Sequence, residues 1–222
     1  VNMHIDIIFD TICPWCFIGK RRLEKMLSRR PQLNAKIYWH AFLLNPDMPP
    51  EGADFHGYMR KKFGNDLRSD RLFKTINQAG QSVGIKFDFD QVKRAPNTID
   101  SHRLVRFAAR QNRATEMVET LYQKYFIEGR DIGNRSVLID IGISQRFDEQ
   151  ALCDYLYSDE DVADVLEQNP RSHRLGISGV PAFIFERQFS ISGAQDPNVL
   201  ERMLNIAEEK QREFYETGIQ PV

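Results

Sequence analysis

The stretch FDTICPWCFIGKRRLEKML, residues 9 to 27, sets Cys13 and Cys16 three apart in a chain whose one other cysteine is Cys153. Ahead of it, MHIDIIFD is rich in β-branched residues and alternates apolar with polar in its first half, the pattern of a strand. After it, Cys16, Gly19, Leu23, Met26 and Leu27 recur near helical spacing. The order implied is strand, turn, helix. Pro14 suits the first position of that helix, because its fixed φ matches the turn and it has no N–H to leave unpaired there. Cys13 then stands at the helix N-terminus, where unsatisfied N–H groups and the positive end of the helix dipole favour a thiolate. Cys16 lies about one turn further in, more buried, where a second thiol can resolve a mixed disulfide. Trp15 between them is expected to be partly exposed, as a loop-tip packing residue or as an apolar platform beside the attacking sulfur.

Two other uses of a cysteine pair fit the sequence less well. A structural zinc site needs about four Cys or His ligands, usually as two short-spaced pairs. Here His4, His40, His56, His102 and His173 are scattered singly and no second pair exists, so no metal is expected. A structural disulfide across two intervening residues closes a very small loop and stabilises little, because the entropic gain grows with loop length. A catalytic dithiol needs this close spacing.

Composition narrows the remaining classes. The chain has 222 residues, 41% hydrophobic and 27% charged, which fits a globular protein with a substantial core. Thirty basic residues against thirty-one acidic ones give a formal charge of −1, so the balance names neither nucleic acid nor an anionic membrane as partner. The longest apolar runs, such as IDIIF and VPAFIF, fall far short of the roughly 18 to 20 residues of a spanning helix. No basic segment followed by an apolar one opens the chain. A cytoplasmic location is the expectation, with thiols or disulfides, on proteins or small molecules, as the partners and with room for a homodimer.

Beyond the first helix, KIYWHAFLL at 36 to 44 reads as a second strand. The texture then changes. From Pro46 to about Asn169 a proline- and glycine-rich start is followed by helical patterns at 54 to 63, 67 to 83, 99 to 112, 114 to 128, 134 to 144, 148 to 157 and 160 to 168. IKFDF near residue 85 is a short extended candidate. Strands are expected at 182 to 186 and 189 to 192, and a helix from about 197 to 214 with Asp196 as its cap and Pro197 at its first position. Residues 1 to 45 and 170 to 222 thus form an α/β unit, and 46 to 169 a helical one.

CPWC opening a helix after the first strand, with GVPAF at 179 to 183, resembles the thioredoxin-like oxidoreductases of the DsbA superfamily, in the branch of FrnE-like proteins and 2-hydroxychromene-2-carboxylate isomerases. The resemblance covers nearly the whole chain. PNTIDSHRL at 96 to 104 is similar to that branch's NTxxAHRL segment, with Ser101 in place of Ala. The resemblance implies a thioredoxin-like fold with a large all-helical insertion between the second strand and the helix before the third. It also implies a cis-proline at Pro181, with Val180 beside it, facing Cys13 and Cys16 and shaping a substrate groove.

Relatives that act as isomerases or kappa-class glutathione transferases generally carry serine at the position of Cys13 and use it to hold the sulfur of glutathione. Cysteine at both positions argues for dithiol chemistry, with no bound cofactor and glutathione at most a co-substrate. The loop SGAQD, with Gln195 and Asp196, nevertheless resembles the segment that holds the glutamyl end of glutathione in those relatives; Asp196 as a plain helix cap is the competing reading. Asn97 and His102 either face the pocket or serve as hydrogen-bonded packing residues. Cys153 is expected in the core as a small apolar residue. The basic run Lys20, Arg21, Arg22, Lys25, Arg29 and Arg30 reads as a solvated helix face, and Pro170 as a helix restart or kink.

Overall fold

The computed structural model describes residues 2–218. Strand β1 (Asn2–Phe9), helix α1 (Pro14–Ser28) and strand β2 (Asn34–Ala41) form a parallel βαβ unit in which Asp6 lies opposite Tyr38 and Ile8 opposite His40. The chain then enters its helical part. A two-residue strand β3 (Ala53–Asp54) leads into α2 (Phe55–Phe63) and α3 (Asp66–Gln81), and β4 (Arg94–Ala95) returns to pair with β3. Helices α4 (Ile99–Ala109), α5 (Ala114–Tyr122), α6 (Arg135–Ser144), α7 (Glu149–Leu156) and α8 (Val162–Arg174) follow, and α5 continues through a π-helical turn at Gln123–Ile127. Strands β5 (Ala182–Phe185) and β6 (Phe189–Ser192) and helix α9 (Pro197–Thr217) complete the fold. The four-stranded sheet runs β2-β1-β5-β6, with β5 antiparallel to β1 and β6 antiparallel to β5.

Period-two alternation makes the two faces of this sheet different. Met3, Ile5, Ile7 and Phe9 of β1 point to the face covered by α1 and α9 and are essentially fully buried, together with Phe183 and Phe185 of β5. One apolar cluster extends from there through Phe17 of α1 to Tyr122, Phe126 and Leu152 of the helical part. The opposite face carries His4, Asp6 and Ile8; α8 and the loop after it lie over it, and Phe42 packs on Ile8.

The structure departs from the sequence-based expectations at several points, each for a local reason. Helix α8 runs through Pro170, so the boundary expected between residues 169 and 170 falls inside one helix. The missing N–H of Pro170 removes one ladder bond but does not end the helix, and its neighbours hold it in place: Gln168 Oε1 and Asn169 Oδ1 accept the backbone N–H groups of Ala41 and Leu43 at 2.8 and 2.9 Å. IKFDF joins no sheet and runs into a turn at Phe89; the strand pair in this part is β3 with β4. The basic run is a solvated face only in part: Lys25 is exposed, but most of its other cations have partners. The Lys20 side chain is 4% exposed and pairs with Glu24 and with Glu119 of α5, which also receives Arg21. Arg22 donates to the Ala194 carbonyl, and Arg29 and Arg30 reach Asn198, Asn205 and Glu208 of α9. These cations fasten α1 to the elements on both sides. Cys153 is half-buried and packs against the main core.

Candidate active site

Strand β1 ends by aiming its last residues at the start of α1. The Cys13 N–H donates to the Asp10 carbonyl at 3.2 Å, which closes the turn, and Cys13 then caps the helix with extended backbone at φ −92° and ψ 110°. Its Sγ accepts the backbone N–H of Cys16 at 3.3 Å, the place a serine or aspartate oxygen takes in an ordinary N-cap. Pro14 occupies the first helical position, as the sequence suggests. Both thiols are free and largely buried, Cys13 at 5% and Cys16 at 2% exposure. Trp15 is half-buried and packs against the core.

From the other side, the Cys13 thiol lies 3.8 Å from the Val180 carbonyl oxygen, and the Val180–Pro181 peptide is cis. The Pro181 carbonyl accepts the N–H of Gly193 at 2.7 Å, so the loop before α9 is tied to the same place. Helix α1 approaches closely here because Gly19 lacks a side chain: a Cβ at that position would meet Pro181 Cγ at 3.0 Å and Phe183 Cζ at 3.2 Å.

Behind the sulfurs stands a buried polar network. The Asp10 carboxylate, 0% exposed, accepts the Thr11 N–H at 2.8 Å and His102 Nε2–H at 3.0 Å on one oxygen, and the Leu44 N–H at 2.9 Å on the other. Thr11 and Ser101 join hydroxyls at 2.7 Å, and Ser101 also bonds the Thr98 carbonyl at 2.9 Å. Serine at 101 therefore ties the turn before Cys13 to α4. Tyr122 donates to the Asp10 carbonyl at 3.1 Å while its ring stacks on Phe17. Burial, then the Cys13 thiol and the Asp10 charge, push the Cys16 thiol well above the usual thiol range. Cys16 thus rests as a protonated thiol. Burial, with Cys16 and Cys13 nearby, likewise keeps the Tyr122 hydroxyl protonated and able to donate.

The residues singled out in the sequence divide into two groups. Cys13, Pro14, Trp15, Cys16, Val180 and Pro181 are brought together. His102 is not pocket-facing: it is 2% exposed, stacks edge-on against Phe9 and holds Asp10. Asn97 bonds the Met48 carbonyl at 2.7 Å and the Ile99 N–H at 3.0 Å, fixing the entry to α4. Asp196 caps α9 through the Asn198 N–H at 2.8 Å, and Gln195 folds back onto the Ser192 carbonyl at 2.8 Å. Asp10 and Tyr122 escaped the sequence reading. A carboxylate closing an apolar strand just before CPWC was a readable sign for Asp10; Tyr122, 112 residues away from it, left none. Among the described residues no group of three or more His, Cys, Asp or Glu side chains is arranged to hold a metal, and no helix is long and apolar enough to cross a membrane.

Residues 4–205 match the model of the DSBA-like thioredoxin domain, and the chain belongs to that family. An uncharacterised protein of Bacillus subtilis, YwbO, is 23% identical over 218 residues, which cover 95% of this chain and 100% of that protein. Among solved structures, the probable DsbA oxidoreductase SCO1869 of Streptomyces coelicolor superposes with a TM-score of 0.84 at 23% identity, covering 94% of this chain and 91% of that one. A 2-hydroxychromene-2-carboxylate isomerase superposes with a TM-score of 0.70 at 16% identity, covering 95% and 98% of the two chains. These likenesses define the fold, a DsbA-type thioredoxin domain carrying a helical insertion.

Proposed function

We propose that the protein is a thiol–disulfide oxidoreductase in which Cys13 exchanges with substrate and Cys16 resolves. The observation that carries this reading is the position of Cys13: its sulfur caps α1, accepts the Cys16 N–H and faces the Val180 carbonyl. The N–H stabilises negative charge on that sulfur, and the helix dipole adds to it. Cys16, sealed behind and protonated, does not compete as first nucleophile.

In the reductive direction the Cys13 thiolate attacks one sulfur of a substrate disulfide; that S–S bond breaks, a mixed disulfide forms, and the departing sulfur takes a proton. Cys16 then loses its proton and attacks the Cys13 sulfur. The Cys13–Cys16 bond forms as the second substrate thiol leaves, so two electrons have passed to the substrate. The same steps run backwards oxidise a dithiol, and the relative reduction potentials decide the direction. The Val180 backbone next to Cys13 is suited to pairing with an extended substrate segment, with Pro14, Trp15 and Pro181 as apolar walls.

Cys13→Ser is expected to abolish insulin reduction, whereas Cys16→Ser is expected to accumulate mixed disulfides visible by mass spectrometry. Equal trapping by both variants would overturn the assignment. The alternative, a glutathione-dependent isomerase or transferase, draws support from the tether between Gly193 and Pro181, which sets the SGAQD loop beside the dithiol. It requires non-covalent glutathione binding to Cys16→Ser that is lost in Asp196→Ala, measured by calorimetry. That Asp196 and Gln195 are already engaged in local hydrogen bonds favours the dithiol reading.

A further inference from the structure

The face of the sheet turned away from α1 holds a second polar cluster that the dithiol chemistry does not use. His4 Nε2 and His40 Nε2 each contact one oxygen of Asp6, at 2.9 and 2.7 Å, so that a carboxylate sits between two imidazoles on adjacent strands. Above them lies a cleft of about 630 Å³ between the sheet and the end of α8. That volume falls within the range of small-molecule pockets, roughly 300 to 1,000 Å³. Tyr38, Leu175, Ile177 and Ile184 give it apolar walls, and Tyr38 and Leu175 are 43% and 62% exposed.

Its charge is one-sided. Asp6 is the one acidic residue among the lining residues, and both its oxygens are engaged by the histidines. Arg171 and Arg187 also line the cleft, and among the described residues neither guanidinium has an ion-pair or hydrogen-bond partner. Lys20, Arg21 and Arg22 of α1, by contrast, are tied down by partners. Arg187 is moreover held in an uncommon conformation. The turn between β5 and β6 places Glu186 and Arg187 at φ 52° and 59°, left-handed values that glycine and asparagine usually supply. The Glu186 carboxylate, which would be the natural neighbour for that guanidinium, instead accepts the His4 N–H at 2.6 Å, while the Glu186 N–H bonds the His4 carbonyl at 2.8 Å. The strained turn is thereby anchored to β1 and Arg187 is left free at the rim. Residual backbone strain of this kind clusters where a side chain has to be presented.

We propose that this cleft is a second ligand site, separate from the dithiol, that takes a small organic anion: an oxyanion group between Arg171 and Arg187, and an apolar body against Tyr38, Leu175 and Ile184. A guanidinium offers two parallel N–H donors that match the oxygens of a carboxylate or a phosphate. Desolvation by the apolar walls strengthens that pairing, and the histidine edges give the ligand a polar floor.

The test is a titration of the isotope-labelled full chain with benzoate, phenyl phosphate and neutral benzamide, followed through the imidazole signals of His4 and His40 by NMR. Benzoate and phenyl phosphate are expected to shift both signals saturably, with benzamide weaker by about tenfold or more, a difference of about 1.4 kcal/mol. The tighter of the two anions tells whether the site is shaped for a carboxylate or a phosphate. Arg171→Gln combined with Arg187→Gln is expected to weaken anion binding by about tenfold or more. Leu175→Asp, which sets a carboxylate at the exposed rim one helical turn after Arg171, is expected to do the same with both arginines still present. The indole signal of Trp15 should stay in place. Failure to saturate, equal binding of benzamide, unchanged affinity in the arginine double variant or in Leu175→Asp, or movement of the Trp15 signal with those of the histidines would each overturn the proposal.

Discussion

The two faces of β1 are built from alternate residues of one strand, yet they do opposite things. Met3, Ile5 and Ile7 are at most 2% exposed and fix α1 and α9 against the sheet; His4 and Asp6, one residue away in each case, have side chains 20% and 14% exposed beneath an open cleft. The dry face carries the cysteine pair: it seats α1, and with it the N-terminus at which Cys13 stands, 3.8 Å from the Val180 carbonyl oxygen. The other face keeps polar groups and open volume between the sheet and the end of α8. A strand with period-two alternation thus separates close packing from open, polar volume within one sheet.

Adjacent residues of β5 offer the strongest test of this contrast. Phe183 is 0% exposed on the dry face, and Ile184 is half-buried on the other. Phe183→Ala is expected to cost about 3 to 5 kcal/mol in urea denaturation, from lost transfer energy plus a cavity that α1 cannot collapse to fill. Ile184→Ala should cost about 1 kcal/mol, since part of its surface is already wet. Equal costs would remove the distinction between the faces. A smaller effect on stability but a larger one on activity is expected at Gly19. Any added side chain there presses on Pro181 and Phe183, so Gly19→Val should destabilise by about 1 to 3 kcal/mol as an overpacked site. Under the proposed mechanism it should also slow insulin reduction more than Phe183→Ala does, because it displaces the loop facing Cys13. An unchanged exchange rate in Gly19→Val would mean that the fit between α1 and that loop does not matter for exchange.

What the sequence disclosed follows the range of the interactions involved. The strand, turn and helix around CPWC, the cap at Asp196 and the β5–β6 hairpin all rest on neighbours within a few residues, and each was readable. The helical insertion showed itself as a change of texture. The partners of the basic residues on α1 did not, because a Lys20 that meets Glu119 and a solvated lysine look alike until the fold brings α5 across. The same holds for His102, whose Asp10 partner is 92 positions away, and for Arg187, whose freedom depends on Glu186 being engaged by β1. The path of α8 through Pro170 depended on Gln168 and Asn169 reaching β2 and the residues after it, contacts that no local propensity encodes.

The smallest expected effect comes from the polar face and depends on pH. Burial would by itself raise the Asp6 carboxyl, but hydrogen bonds from His40 and His4 outweigh it and hold it below the usual carboxylate range. A carboxyl depressed by folding contributes stability that is present above its unfolded value of about 3.9 and is lost as pH falls through the lower, folded value. Asp6→Asn removes that contribution at every pH. Near neutral pH the variant should therefore be less stable than the wild type by under about 1 kcal/mol, as befits a partly solvated pair. The gap should begin to narrow as pH falls below about 3.9 and close only below the lower, folded value, where wild-type Asp6 is itself neutralised. Urea titrations of both proteins across that range supply the check. A gap that stayed constant into acid would show that Asp6 acts through packing rather than through its charge. The histidines would then be ordinary surface residues, and the polar floor of the cleft would owe nothing to the carboxylate between them.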